Sequence, residues 1–202
     1  MGLRERKKLR TRVAIRRATY RLIAEQGYEA ATVEQIAEAA EVSPSTVFRY
    51  FPAKEDIVLS DEYDARLDAE LRARPAGEDP LDSMRHVLCA ALARAVAEAP
   101  DEVAQRTRLM AEVPALRARM TESLAATSEL LIRALADRTG RSPDDLGVRV
   151  FTAAVLGAVR EAMLHWAADS RREEPADPAG LPGLADRALR MLGDGMRLRT
   201  PR

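Results

Sequence analysis

Ser43, Ser45, Thr46, Arg49 and Tyr50 crowd into eight positions of the run Thr32 to Lys54, TVEQIAEAAEVSPSTVFRYFPAK. Arginine can hold guanine O6 and N7 in a bidentate fork, while hydroxyls and a threonine methyl meet phosphates or a thymine methyl. Just upstream, residues 4 to 17 carry eight Lys or Arg against a single Glu. Base-edge donors beside a basic arm make sense only if a helix presents the first to a groove and the arm lies on the phosphate backbone.

The helices that must do this are legible from their ends. Thr32 with Gln35 three residues on matches a capping box, in which hydroxyl and amide side chains each satisfy a free backbone N–H. Val33, Ile36, Ala37 and Ala40 follow at i, i+3, i+4 and i+7, one buried face. Glu41 and Val42 form a tight turn, with Val42 suited to plug the angle between two helices. Ser43 can cap the second helix, and Pro44 at its first position forfeits no useful hydrogen bond. Val47 and Phe51, four apart, should face inward, with Ser45, Thr46 and Arg49 opposite and Tyr50 at the edge. Singly, Arg49 could be a surface arginine and Tyr50 a core tyrosine; the joint pattern is a helix-turn-helix.

From about Arg10 to Tyr63 the chain resembles the TetR family of transcriptional regulators. The resemblance is carried by Ile23-Ala24-Glu25-Gln26-Gly27-Tyr28, Thr32-Val33, Ile36-Ala37, Val42-Ser43, Thr46-Val47 and Phe48-Arg49-Tyr50-Phe51, followed by Lys54. It implies phosphate contacts at Thr32, Ser43, Phe48, Tyr50 and Lys54, and base-edge contacts at Pro44, Ser45, Thr46 and Arg49. Phe48 departs from the tyrosine frequent at its position and has no hydroxyl for a phosphate, which reduces that contact to packing. Lys54 also stands out by composition. The only lysines among 32 basic residues are Lys7, Lys8 and Lys54. A compact point charge kept in an arginine-rich chain reads as a phosphate clamp, or as a chance survivor.

Bulk charge says nothing about nucleic acid, since the formal net charge of the 202 residues is zero. Its distribution does: residues 1 to 60 hold eleven basic and eight acidic side chains, leaving the remainder slightly acidic. Cys89 is alone, so there is no internal disulfide and no cysteine zinc motif. No signal peptide or transmembrane run is visible, which predicts a cytoplasmic protein without a membrane partner. Enzyme motifs are missing as well: no glycine-rich phosphate loop, nucleophile elbow or HExxH pair. Cys89 and His86 could share a helix face, but no third orienting group accompanies them. His86 and His165 lack partners at ligand spacing, so no metal and no cofactor is expected.

The rest of the chain reads as helices. One should run from Lys54 to Arg72; another follows Asp79-Pro80 with Leu81, Met84, Leu88, Leu92 and Val96 as its stripe. A short helix should reach Ala111, one should open at Pro114 and stop at Gly140, and one should run from Ser142-Pro143 to Ala168. Residues 171 to 183 read as a linker, and Leu184 to Leu198 as a closing amphipathic helix. The expected fold is all-α: an N-terminal three-helix DNA-binding domain (1–53) and a helical ligand-binding and dimerisation domain (54–202).

Two features of the second domain suggest partners. Ala153 and Gly157 are small and four apart, and a glycine inside a helix costs about 1 kcal/mol relative to alanine. Close approach of another helix would offset that, either within the chain or between two subunits of a homodimer; the family resemblance points to the homodimer. Met84, Leu88, Met110, Met120, Leu124, Phe151, Val155 and Trp166 lie on apolar stripes that suit a hydrophobic effector pocket, with Arg160, His86 and His165 as polar groups nearby. A plain core, or a groove for a protein partner, would use the same residue types. The segments Leu109 to Arg119 and Ala153 to Trp166 resemble those of acyl-CoA-responsive TetR regulators, which implies a hydrophobic, fatty-acyl type of effector. The sequence therefore predicts a repressor that binds a palindromic double-stranded DNA operator as a dimer and is released by a small molecule.

Overall fold

The computed structural model describes residues 2–60, 64–169 and 177–195. The chain divides into two compact units, Met1–Ser60 and Asp61–Arg202. Among the described residues all regular structure is helical.

The first unit holds α1 (Leu3–Gln26), α2 (Val33–Ala39), α3 (Pro44–Tyr50) and α4 (Lys54–Leu59). The basic run is not a separate arm but the opening turns of α1. Leu, Arg, Lys and Ala are all good helix formers, and nothing before Gly27 breaks them. Gly27, at φ 86°, ends the helix in a conformation that favours glycine. Ile15, Ile36, Ala37, Val47, Phe51 and Ile57 form the core, with Val33, Ala40, Val42 and Tyr50 packed against it. The expected inward faces of both short helices are thus the observed ones. Arg12 of α1 lies over the Phe51 ring, 4.7 Å from its centroid, and the Tyr20 hydroxyl donates to the Val58 carbonyl at 2.8 Å.

The second unit holds α5 (Asp64–Arg72), α6 (Pro80–Glu98), α7 (Pro100–Glu112), α8 (Pro114–Thr139), α9 (Leu146–Asp169) and α10 (Gly180–Gly193). Three boundaries differ from the sequence expectation. The helix expected over 54–72 is two helices, because Ser60 is extended at ψ 123° and closes α4. α9 begins at Leu146 rather than after Ser142: Asp145 Oδ1 accepts the Val148 amide at 3.1 Å and supplies the first-turn acceptor. α10 starts at Gly180, inside the proposed linker, where Asp177 Oδ1 accepts the Ala179 amide at 2.9 Å. Residues 171–176 and 196–198 of the expected linker and last helix lie outside the described residues.

Its main core joins Leu67 and Leu71 of α5, Met84 and Val87 of α6, Leu131 and Leu135 of α8, Val155 of α9 and Leu189 of α10. A smaller cluster gathers Ala104, Trp166, Ala167 and Leu181. Arg138, near the end of α8, donates to the carbonyls of Arg74 and Pro75 and to Ser83 Oγ, tying α8 to the α5–α6 connection.

Candidate nucleic-acid interface

α2 and α3 are two-turn helices, too short to be stable alone, so their caps and the shared core must hold them. At α2 the Thr32 hydroxyl accepts the Gln35 amide at 3.2 Å, and Gln35 Oε1 accepts the Thr32 amide at 2.9 Å. The reciprocal box expected from the sequence is present. Gln26, at the end of α1, adds a donor to the same Gln35 oxygen at 2.9 Å. At α3 Ser43 Oγ accepts the Thr46 amide at 3.2 Å and shares 2.9 Å hydrogen bonds with the hydroxyls of Ser45 and Thr46. Between the helices Glu41 sits at φ 55°, a left-handed conformation that non-glycine residues rarely adopt.

With Val47 and Phe51 buried, α3 turns Pro44, Ser45, Phe48 and Arg49 outward. Phe48 is 50% exposed, an unusual position for a phenylalanine ring. Arg49 Nη2 lies 3.5 Å from the Thr46 hydroxyl, and its guanidinium is 5.4 Å from the centroid of the Tyr50 ring. Tyr50 is half-buried against the core, consistent with an edge position. Thr32 and Ser43 are exposed, each at the start of a helix where backbone N–H groups favour an anion. Thr32, Ser43, Pro44, Ser45, Phe48 and Arg49 are exposed, and Thr46 and Tyr50 half-buried.

Lys54 has a different setting. Its ammonium donates to the Tyr28 carbonyl at 2.7 Å and the Ala31 carbonyl at 3.1 Å, and stands 4.1 Å from the centroid of the Tyr28 ring. The Tyr28 hydroxyl donates in turn to Glu55 Oε1 at 2.6 Å. Burial first, then the Glu55 bond and charge, push the Tyr28 phenol well above its ordinary value. Sequence reasoning found neither Tyr28 nor Glu55 as partners. The one local cue is that Glu55 adjoins Lys54.

The expected effector residues do not all come together. Met84 and Val155 are buried in the main core, with Leu88 and Phe151 packed against it. Trp166 belongs to the smaller cluster, its indole N–H donating to the Asp177 carbonyl at 3.4 Å. Met110 is buried on α7, while Met120 and Leu124 are half-buried on α8. The polar groups lie at the surface: His86 is exposed, Arg160 pairs with Glu161 at 2.8 Å, and His165 faces Asp169 at 3.2 Å. Outside these sets, a cavity of about 440 Å³ is lined by Ala14, Arg17, Ala18, Arg21, Ala39, Ala40 and Glu41.

A capped helix-turn-helix, with an outward polar face on its second helix and a separate helical unit behind it in sequence, defines a DNA-binding transcriptional regulator. Residues 15–60 match the family described as bacterial regulatory proteins, tetR family, and residues 78–197 match the MftR C-terminal domain. The chain belongs to the TetR family of transcriptional regulators, which are not enzymes. It is 39% identical over 165 residues to the HTH-type transcriptional regulator TcmR of Streptomyces glaucescens, covering 78% of this chain and 73% of that protein. Among solved structures it is similar to Thermus thermophilus FadR, a TetR family transcriptional repressor in complex with lauroyl-CoA. That match has a TM-score of 0.55 and 27% identity, over 94% of this chain and 97% of the other. Bacillus halodurans FadR, a fatty acid degradation regulator, matches with a TM-score of 0.60 and 26% identity over the same shares. No helix among the described residues is long and apolar enough to cross a membrane.

Proposed function

We propose that this chain is a cytoplasmic repressor that binds a two-fold symmetric operator as a homodimer and leaves it when a hydrophobic effector binds the second unit. The observation that carries the DNA part is the division of α3, with Val47 and Phe51 inward and Ser45, Phe48 and Arg49 outward. Pro44, Ser45, Thr46 and Arg49 meet base edges in the major groove; Thr32, Ser43, Tyr50 and Lys54 meet phosphates, and Phe48 packs on the sugar–phosphate chain. A single helix-turn-helix reads one half-site, so a second subunit supplies the other.

The surface of α9 supports the homodimer. Leu146 (75% exposed), Val150 (57% exposed), Ala153 and Gly157 recur at i, i+4, i+7 and i+11, an apolar stripe opposite the buried Val148, Thr152, Val155 and Trp166. A Cβ placed on Gly157 would find no described atom within 4 Å beyond its chain neighbours and the local helix backbone. Among the described residues no helix fills that space, which favours the subunit contact over the internal one. Met191 of α10 is a further half-exposed apolar side chain.

For the effector, the similarity to a FadR bound to lauroyl-CoA makes fatty acyl-CoAs the first class to test. Met84, Leu88, Phe151 and Val155 are the most coherent wall, since they share one core; Met110, Met120, Leu124 and Trp166 are candidates for its margins. A ligand can shift operator affinity only by binding the DNA-competent and incompetent conformations unequally. Coupling of about 1 to 3 kcal/mol gives a response of about 5- to 150-fold. A change in the separation of two recognition helices that must span about 34 to 36 Å suffices. The test is DNA titration with and without acyl-CoAs and free fatty acids, while Trp166 fluorescence follows ligand binding. Saturable binding that leaves DNA affinity unchanged refutes the coupling, and no binding across the panel points to control by a protein partner.

A further inference from the structure

We infer that Arg94 is the polar anchor of the effector site: its guanidinium takes an acceptor oxygen at the head of an apolar chain, a carboxylate or a thioester carbonyl. This rests on the effector reading of the second unit and names the group there that reads the ligand's head. Arg94 Nη2 donates to Glu70 Oε2 of α5 at 2.8 Å. Glu70 Oε1 already accepts from Arg66 Nε at 2.9 Å, so two guanidiniums share one carboxylate. Arg94 Nε is buried and has no acceptor among the described residues. Nearly every buried polar side-chain atom has a partner, and leaving a buried donor without one is costly. A ligand oxygen removes that cost, and an ionised one also balances the second guanidinium.

The place of Arg94 connects this head group to an apolar wall. On α6, Met84, Val87 and Ala91 are buried at i, i+3 and i+7 and belong to the main core. Arg94, at i+10, continues the same face of the helix. Met84 is therefore about 15 Å from Arg94 along the helix axis, a span that suits a medium-length acyl chain laid on that face. Leu67, one turn before Glu70 on α5, joins the same core. The helical neighbours of Arg94 at i−4, i−3 and i+3 are Ala90, Ala91 and Ala97, and Glu98 at i+4 is exposed, so α6 itself sets no bulky apolar side chain over the guanidinium. A charged group with a spare donor at the end of an apolar face is what a mainly apolar site needs to orient its ligand.

The experiment titrates the full chain calorimetrically with dodecanoate, dodecanoyl-CoA and dodecyltrimethylammonium, each below its micelle concentration. The first two should bind the wild type, and the cation, which offers no acceptor oxygen, should not. Arg94→Met keeps an unbranched stem and removes every donor. It should weaken the bound compound by about tenfold or more, the scale of a hydrogen bond to a charged group. Dependence on Arg94 for dodecanoate identifies a carboxylate head, and dependence for dodecanoyl-CoA a thioester carbonyl. The ligand-free Arg94→Met protein should unfold close to the wild-type temperature, because Glu70 keeps Arg66. Glu70→Gln removes the competing charge and should tighten the same compound severalfold. A clasp that only joins α5 to α6 predicts the opposite, weaker binding in both variants in step with a lower unfolding temperature. Unchanged affinity of Arg94→Met for every compound the wild type binds would overturn the inference and leave the effector reading standing. Wild type that binds neither dodecanoate nor dodecanoyl-CoA would overturn both. If Arg94→Met does not fold, Glu70→Gln decides: tighter binding supports the anchor, and equal or weaker binding overturns it.

Discussion

Replacing Gly157 with leucine separates the two explanations for a glycine in the middle of α9. Within one subunit the change should do no harm. No described atom outside the local helix stands within 4 Å of the new Cβ, and leucine is the better helix former by about 0.8 kcal/mol. The monomer should therefore be as stable as the wild type or slightly more so. At a subunit contact the effect reverses, since four extra carbons entering a packed interface cost about 1 to 3 kcal/mol by overpacking. In a two-fold dimer each subunit brings its own leucine, so the insertion is made twice. Doubled, the cost is about 2 to 6 kcal/mol, so self-association should weaken by about 30-fold or more. Sedimentation across a dilution series would read this directly, with thermal unfolding under monomeric conditions as the control. A dimer that dissociates at the wild-type concentration would place Gly157 outside the interface. A destabilised monomer would mean that a helix of the same chain packs there after all.

Further changes probe the first unit and the body. Arg49→Ala should weaken binding to a selected duplex by about 1 to 3 kcal/mol and relax the preference for one base per half-site, as read by repeating the selection; a uniform loss across sequences would remove Arg49 from base readout. Glu41→Gly should raise the unfolding midpoint of the first unit. The left-handed φ of 55° costs an L-residue about 1 to 2 kcal/mol, against roughly 0.5 to 1 kcal/mol for glycine's greater freedom in the unfolded chain. A lower midpoint would mean that the Glu41 side chain supports the turn. Glu78 is held down to about 2 from the ordinary 4.5, chiefly by its hydrogen bond from Arg74 and next by that from Ser83. A lowered folded-state pKa stabilises above the unfolded value and is lost as pH falls through the folded one. The difference in unfolding temperature between wild type and Glu78→Gln should thus be constant above about pH 5 and shrink towards pH 2. A difference independent of pH would show that the Glu78 charge contributes nothing.

What the sequence settles about this protein is local. The Thr32–Gln35 box, the Ser43 cap with Pro44 behind it and the inward spacing of Val47 and Phe51 could be read directly. Caps and helical periodicity depend on residues three or four apart, and two short helices leave few ways to arrange them. The outward placement of Ser45 and Arg49 follows from the same periodicity. Tertiary structure decided whatever depends on partners distant in the chain. Lys54 reads as a free charge in sequence, and only the fold brings the carbonyls of Tyr28 and Ala31 to it across more than twenty residues. The apolar residues of the body show the same limit. Met84, Leu88, Phe151 and Val155 meet in one core while Trp166 joins another, although all five share the same helical spacing pattern. Periodicity assigns a residue to a face of its own helix; which other helix covers that face is a long-range choice, made by packing and by burial against neighbours that no local pattern encodes.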